Sequence, residues 1–196
     1  MAEHMRKGAE ADISVSRGTL TKERVAKKYR IPQLDSRLRR QRTRREAKNM
    51  QTAASIGIRV PKLLKVDERR FTIEMEYVPG ELIRDVFERG ERISELSHQG
   101  GQSLRMLHEG GLVHNDLTTS NLIAGEDGIC VIDFGLGYHT CRLEDQAMDL
   151  VVFKKSIFAT HTAHAGAIWE ALLEGYNPGN EMMKRIETIE KRARYK

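Results

Sequence analysis

The sequence predicts an α+β fold in two lobes. A small β-rich first lobe carries one long helix, and a reduced second lobe is mostly helical. Three observations carry this expectation. Short apolar and alternating runs cluster before Pro79-Gly80, which breaks the chain. One strongly charged helical stretch interrupts them. After residue 80 the apolar residues recur mostly at helical spacing. The 196 residues suit one domain with its own core. The expected division is a first lobe over about 1–78, a hinge over about 75–80 and a second lobe over about 80–196 that ends in a basic tail.

The elements follow in order. Met5 to Val25 reads as short strands with turns at Gly8 and Gly18, and Ile13-Ser14-Val15 alternates as a half-buried strand does. Pro32 precedes a long polar helix, about Leu34 to Ile56, ended by Gly57. Its apolar positions are sparse: Leu34, Leu38, Ala47, Met50 and Ala54. Most of its surface must therefore meet water or another macromolecule. Residues 60–66 and 71–78 read as two strands. Helices are expected over 81–89, 94–109, 144–160, 163–175 and 180–193. Ser94 is placed as the N-cap of the second and Gly110-Gly111 as its stop. Between the second and third, Leu122-Ile123 and Ile129-Cys130-Val131-Ile132 flank Gly125-Glu126-Asp127-Gly128, a hairpin signal.

Charge is unevenly spread. The formal net charge is +5, yet Lys22 to Lys48 holds twelve basic residues against three acidic ones. One basic block on an otherwise acidic protein wants a polyanion or a partner. No apolar run approaches the roughly 20 residues needed to cross a bilayer, and the charged start of the chain is no secretory signal. Two cysteines without metal-like spacing fit a reducing compartment, so a cytoplasmic location is expected.

The chemistry concentrates in Val113-His114-Asn115-Asp116-Leu117-Thr118-Thr119-Ser120-Asn121 and in Val131-Ile132-Asp133-Phe134-Gly135. An Asp, an Asn five residues on and a second Asp at a strand end supply three oxygen-bearing side chains. Such a set can hold Mg²⁺ beside substrate phosphates and orient a hydroxyl. The pattern resembles the catalytic loop and Asp-Phe-Gly motif of protein kinases. The remaining kinase parts are then sought in order. Lys22 fits the strand lysine, and Glu46 its helix partner. Glu46, Met50 and Ala53 share one helix face, which turns Glu46 inward while the arginines face out. Gly8-Ala9-Glu10-Ala11-Asp12 is a phosphate loop with one glycine, and Met75-Glu76-Tyr77-Val78 a hinge.

Sixty-one residues follow Gly135, and they contain no Ala-Pro-Glu motif. The chain therefore resembles a minimal atypical kinase. It is similar nearly end to end to the small atypical kinases of the KEOPS (EKC) complex, the PRPK family. The resemblance rests on Gly8-Ala9-Glu10-Ala11, Lys28-Tyr29-Arg30 with Pro32, Leu34 and Asp35, and Arg42-Thr43-Arg44 with Glu46 and Ala47. It continues through Gly57-Ile58 with Pro61, Asp116-Leu117-Thr118-Thr119-Ser120-Asn121, Asp133-Phe134-Gly135-Leu136, and Glu144-Asp145 with Ala147, Asp149 and Leu150. The short form points to an archaeal member. Three departures stand out: Gln146 for the usual Lys, Asn115 for the usual Gly, and Thr21 for a hydrophobic residue.

The resemblance implies ATP and Mg²⁺ as cofactors and a serine/threonine kinase or ATPase activity that supports threonylcarbamoyl-adenosine modification of tRNA. Asp116, Lys22 and Glu46 would be catalytic. Gly8, Ala9, Lys22, Met75, Glu76, Val78, Asn121 and Asp133 would bind the nucleotide, with Asn121 and Asp133 on the metal. His114 and Asp149 would support the catalytic loop. Implied partners are an ASKHA-fold tRNA threonylcarbamoyl transferase, a small regulatory subunit on the first lobe, and tRNA. Arg39, Arg40, Arg44, Arg45, Lys191, Arg192 and Arg194 would contact nucleic acid or partner. Two other readings stand beside this one: a small-molecule phosphotransferase of the aminoglycoside-kinase type, and a non-catalytic ATP-sensing adaptor.

Overall fold

The five strands β1 (His4–Lys7), β2 (Ala11–Ser16), β3 (Thr19–Arg24), β4 (Leu63–Asp67) and β5 (Thr72–Glu76) form one antiparallel sheet in the order β1-β2-β3-β5-β4. A computed structural model describes residues 4–8 and 10–194. The turn between β2 and β3 uses Arg17 and Gly18, both at positive φ, as a two-residue hairpin matched to strand twist requires. Alternation along β3 buries Lys22 and Arg24 and turns Glu23 to solvent. The next strand, β5, buries Ile73 and Met75 on its own inner face.

Helix α1 (Pro32–Ser55) lies between β3 and β4 in sequence. Pro32 opens it with φ preset, and Gly57 at φ +88° follows its end. Its buried residues are Asp35, Thr43, Glu46, Ala47, Asn49, Met50 and Ala53. Leu34 and Ala54, expected on the apolar face, are exposed. Each residue turns the helix about 100°, so the phase that carries Glu46 and Met50 inward also carries Asp35 and Ala53 inward and rotates their neighbours out.

The second lobe begins with β6 (Glu81–Leu82) and α2 (Ile83–Glu88). Residues 81–82, expected as helix, instead pair with β8 (Leu122–Gly125), which pairs in turn with β9 (Gly128–Val131). The helix α3 (Ile93–Glu109) starts ahead of Ser94. Arg92, in the left-handed region, occupies the cap position, and its guanidinium bonds Glu95. Ser94 is thus already inside the first turn, where it cannot cap. Gly110 closes the helix as expected. The two-residue strands β7 (Leu112–Val113) and β10 (Tyr138–His139) pair with each other. Helices α4 (Leu143–Thr160), α5 (Ala165–Tyr176) and α6 (Asn180–Arg194) complete the lobe.

Helices α3 and α5 pack backbone to backbone. A Cβ at Gly101 would overlap the Leu172 carbonyl, and one at Gly175 the His98 carbonyl. One apolar cluster runs from Met50, Ala53, Ile73 and Met75 in the first lobe through Leu112 and Phe134 to Leu104, Leu150 and Ile168. Each fully buried Leu or Phe in it contributes roughly 1.5–3 kcal/mol. Phe134 is the member that ties the core to the chemistry, because Asp133 precedes it. Among the described residues no helix is long and apolar enough to cross a membrane.

Candidate active site

Lys22 Nζ lies 2.7 Å from Glu46 Oε1 and 2.9 Å from Asp133 Oδ1. Strand β3, helix α1 and the turn after β9 thus meet at one ammonium. Burial opposes the Lys22 charge, but the Glu46 and Asp133 carboxylates outweigh it and hold the ammonium above its ordinary range. Burial likewise pushes the Asp133 carboxyl up, and the stronger pull of Lys22, with Arg24 behind it, sets it below the ordinary range. Asp133 sits in the left-handed region at φ 62° and accepts from Gly135 N–H at 3.4 Å. That conformation is uncommon for a residue with a Cβ and aims the carboxylate into the cleft, where the side chain is 43% exposed.

The loop from His114 to Asn121 forms the opposite wall. Asp149 on α4 accepts N–H bonds from His114 (2.7 Å) and Asn115 (2.8 Å). Its Oδ2 also accepts from His108 Nε2 at 3.2 Å, and the other His108 nitrogen bonds the Tyr176 hydroxyl at 2.8 Å. His114 Nε2 donates to the Ile132 carbonyl at 3.1 Å, and its ring lies against Phe134. Asn115 takes φ 62°, a left-handed value that Asn tolerates better than most side chains, so Asn is a workable substitute for glycine here. Gln146 Nε2 bonds the His108 carbonyl at 3.0 Å.

Asn121 Nδ2 donates to the Asp116 carbonyl at 2.8 Å, which leaves its amide oxygen for a cation. The Ile132 N–H donates to the Asn121 carbonyl at 3.0 Å, so Asn121 and Asp133 stand side by side. An amide oxygen and a part-exposed carboxylate on neighbouring stretches of chain are hard donors of the kind that suit Mg²⁺, which usually completes its shell with water and phosphate oxygens. Burial raises the Asp116 carboxyl above its ordinary range; His114 opposes this, while the charges of Asp133, Glu10 and Asp149 add to it.

The other expected residues distribute as follows. Gly8 N–H closes a turn onto the Ala11 carbonyl at 3.1 Å, and Ala9 lies outside the described residues. Met75 and Val78 are buried. The Glu76 N–H is taken by the Lys62 carbonyl at 2.9 Å, so it is not free for a ligand. Arg39 does not face outward as expected. It bonds Asp35 at 2.6 Å and stacks over Phe71 at 3.9 Å, because a residue four positions from Asp35 shares its side of the helix. Arg44 forms a bidentate pair with Glu68, both bonds at 2.8 Å. Arg40 is exposed and Arg45 half-buried. Lys191 and Arg192 are exposed on α6, with Arg192 3.5 Å from Glu144. The Arg194 side chain, Tyr195 and Lys196 lie outside the described residues.

Sequence reasoning missed three groups. Arg24 bonds Glu46 beside Lys22. Asn49 Nδ2 donates to the carbonyls of Phe134 (3.1 Å) and Gly137 (2.8 Å) and so fastens α1 to the Asp-Phe-Gly turn. His108 and Tyr176 back Asp149 from α3 and α5. Arg24 and Asn49 carried a signal, since they stand two residues from Lys22 on a strand and three from Glu46 on a helix.

The RIO domain matches residues 13–141. The chain is 40% identical over 196 residues to a probable bifunctional tRNA threonylcarbamoyladenosine biosynthesis protein of Methanococcus maripaludis, covering 96% of this chain and 36% of that one. It thus spans about a third of the length of the bifunctional curated relatives it matches. It is 38% identical over 186 residues to the KEOPS complex subunit Bud32 of Pyrococcus abyssi, covering 90% of this chain and 84% of that subunit. Among solved structures, the Rio2 kinase of Chaetomium thermophilum in its ADP/Mg²⁺-phosphoaspartate complex superposes at a TM-score of 0.55 and 15% identity, covering 99% of this chain and 71% of that one. Monomeric WbdD superposes at 0.66 and 19% identity, covering 97% of this chain and 49% of that one. These two likenesses establish a kinase fold.

Proposed function

Because the chain belongs to the RIO domain family, and to the family of the Pyrococcus Bud32 subunit, we propose that it transfers the γ-phosphoryl group of ATP as an atypical kinase or ATPase. The observation that carries this reading is Lys22 held between Glu46 and Asp133, at 2.7 and 2.9 Å, with Asp116 near enough to feel the Asp133 charge. Lys22, steadied by Glu46, contacts the phosphates. Asn121 and Asp133 would hold Mg²⁺, which when bound would neutralise charge on the transferring phosphates. Asp116 orients the attacking hydroxyl, of a serine, a threonine or water. Burial raises its carboxyl above the ordinary range, the direction that makes a carboxylate a better proton acceptor. His114 and Asp149 fix the loop so that Asp116 does not have to be positioned at the moment of reaction. Gly8 covers the phosphates, and Met75, Glu76 and Val78 form the hinge against adenine.

In the cell we place this activity in a cytoplasmic KEOPS complex that supports threonylcarbamoyl-adenosine formation in tRNA. Its partners are an ASKHA-fold transferase and a small regulatory subunit on the first lobe. The relatives' names support this assignment. The basic surface then meets RNA phosphates through Arg40, Arg45, Lys191 and Arg192. Arg39 and Arg44 contribute less, since Asp35 and Glu68 already hold them.

Release of γ-phosphate from Mg·ATP by the purified chain tests the chemistry. Asp133→Ala is expected to lower it about a thousandfold, in the range for losing one electrostatic contact to the transition state, with an unchanged circular dichroism spectrum. Undiminished turnover in that variant contradicts the assignment. For RNA, reversing Arg40 and Arg45 to Glu is expected to weaken tRNA binding and flatten its salt dependence by about one unit of slope per lost contact. An unchanged slope means that these arginines are only solvated.

A further inference from the structure

Two cations, not one, sit on Glu46. Arg24 follows Lys22 by two residues on β3, so both side chains leave the same face of the sheet. Its Nη2 bonds Glu46 Oε2 while Lys22 Nζ takes Oε1. Arg24 is 6% exposed, and its Nε has no partner among the described residues. The guanidinium also lies against the Asp-Phe-Gly turn: a Cβ at Gly135 would come within 2.8 Å of Arg24 Nη2. Lys22, Arg24, Glu46 and Asp133 therefore form a cluster with two charges of each sign.

A nucleotide disturbs that balance. Lys22 is shared between Glu46 and Asp133, and phosphates that claim its ammonium take it partly from both. The Asp133 side chain is 43% exposed, so water or a metal cation reaches it. The Glu46 side chain is 1% exposed and has no such recourse. A buried carboxylate left with no cation at all is strongly unfavourable. Arg24 is the cation that stays, because a guanidinium keeps its charge and its Nη2 already bonds Glu46 Oε2.

We propose that Arg24 is a positioning residue for nucleotide binding: it neutralises Glu46, and so frees Lys22 for the phosphates and Asp133 for the metal. This rests on the phosphoryl-transfer reading of the same cleft.

The test is calorimetric titration with Mg·ATP, together with steady-state kinetics, on wild type, Arg24→Gln and Arg24→Lys. Arg24→Gln keeps a donor to Glu46 but not the charge. It is expected to bind Mg·ATP about tenfold more weakly, with KM raised by a similar factor and kcat lowered by less. Arg24→Lys keeps the charge on a shorter reach and is expected to bind about threefold more weakly than wild type. A structural role alone predicts a lower melting temperature with wild-type affinity and KM, and that result overturns the proposal. If Arg24→Gln does not fold, Arg24→Lys decides: the threefold loss supports the proposal, and an unchanged affinity overturns it. A wild-type chain that binds no Mg·ATP overturns the phosphoryl-transfer reading and this proposal with it. A wild-type chain that binds it while Arg24→Gln binds equally well overturns this proposal alone.

Discussion

The two walls of the cleft are held by different kinds of contact. On the β3–α1 wall the contacts are ion pairs: Lys22 and Arg24 on Glu46, and Lys22 again on Asp133. On the loop wall they are hydrogen bonds that stay within the second lobe. Asp149 holds two backbone N–H groups, His108 and Tyr176 back it, and the Thr119 hydroxyl bonds His161 at 2.8 Å. An ammonium between two carboxylates can exchange one for a phosphate. A carboxylate that satisfies two buried N–H groups cannot leave without exposing both. On the proposed reading the wall that meets the phosphates is thus the exchangeable one, and the wall that carries Asp116 is fixed before they arrive.

The sharpest way to break this contrast is Asp149→Ala. It strands the N–H groups of His114 and Asn115 and removes one of the two partners of His108. The expected cost is about 3 kcal/mol of unfolding free energy in a urea titration, with kcat reduced and the KM for ATP little changed. A raised KM with normal stability would mean that the loop wall also takes part in ligand exchange. A smaller effect comes from His161. Burial holds its imidazole below the ordinary value of 6.5, so the native state keeps it neutral while the unfolded chain takes up a proton below that pH. Its contribution is fully present above pH 6.5 and is lost as the pH falls through that value toward the folded one. His161→Gln is expected to remove that part of the fall, seen as a flatter stability profile between about pH 7 and 5 than that of wild type. Parallel profiles would show that the Thr119–His161 bond leaves titration of the ring unchanged.

Much of the site was legible because its parts are local. The spacing from Asp116 to Asn121, the Asp-Phe-Gly tripeptide and the inward phase of Glu46 are each short-range patterns. The partners that hold them are not. Asn49 meets Phe134 across 85 positions, and His108 meets Tyr176 across 68. No local period encodes such meetings; they follow from how α1, α3 and α5 pack. The local rules that failed did so where tertiary contact or backbone geometry overrode them. Leu34 lost its buried place to Asp35, which bonds Lys27 N–H and Arg39. Ser94 lost the cap to Arg92, which turns the chain in the left-handed region. Arg39 reads as one more charge in a basic run, and only the fold seats it over Phe71.

On the proposed reading, Lys22 yields Asp133 to a metal when ATP binds. Calorimetric titration of ATP into wild type and Asp133→Ala, each with and without Mg²⁺, tests it most directly. Mg²⁺ is expected to strengthen ATP binding to wild type and to leave binding to Asp133→Ala unchanged. An Asp133→Ala chain whose ATP affinity rises with Mg²⁺ as much as that of wild type contradicts it.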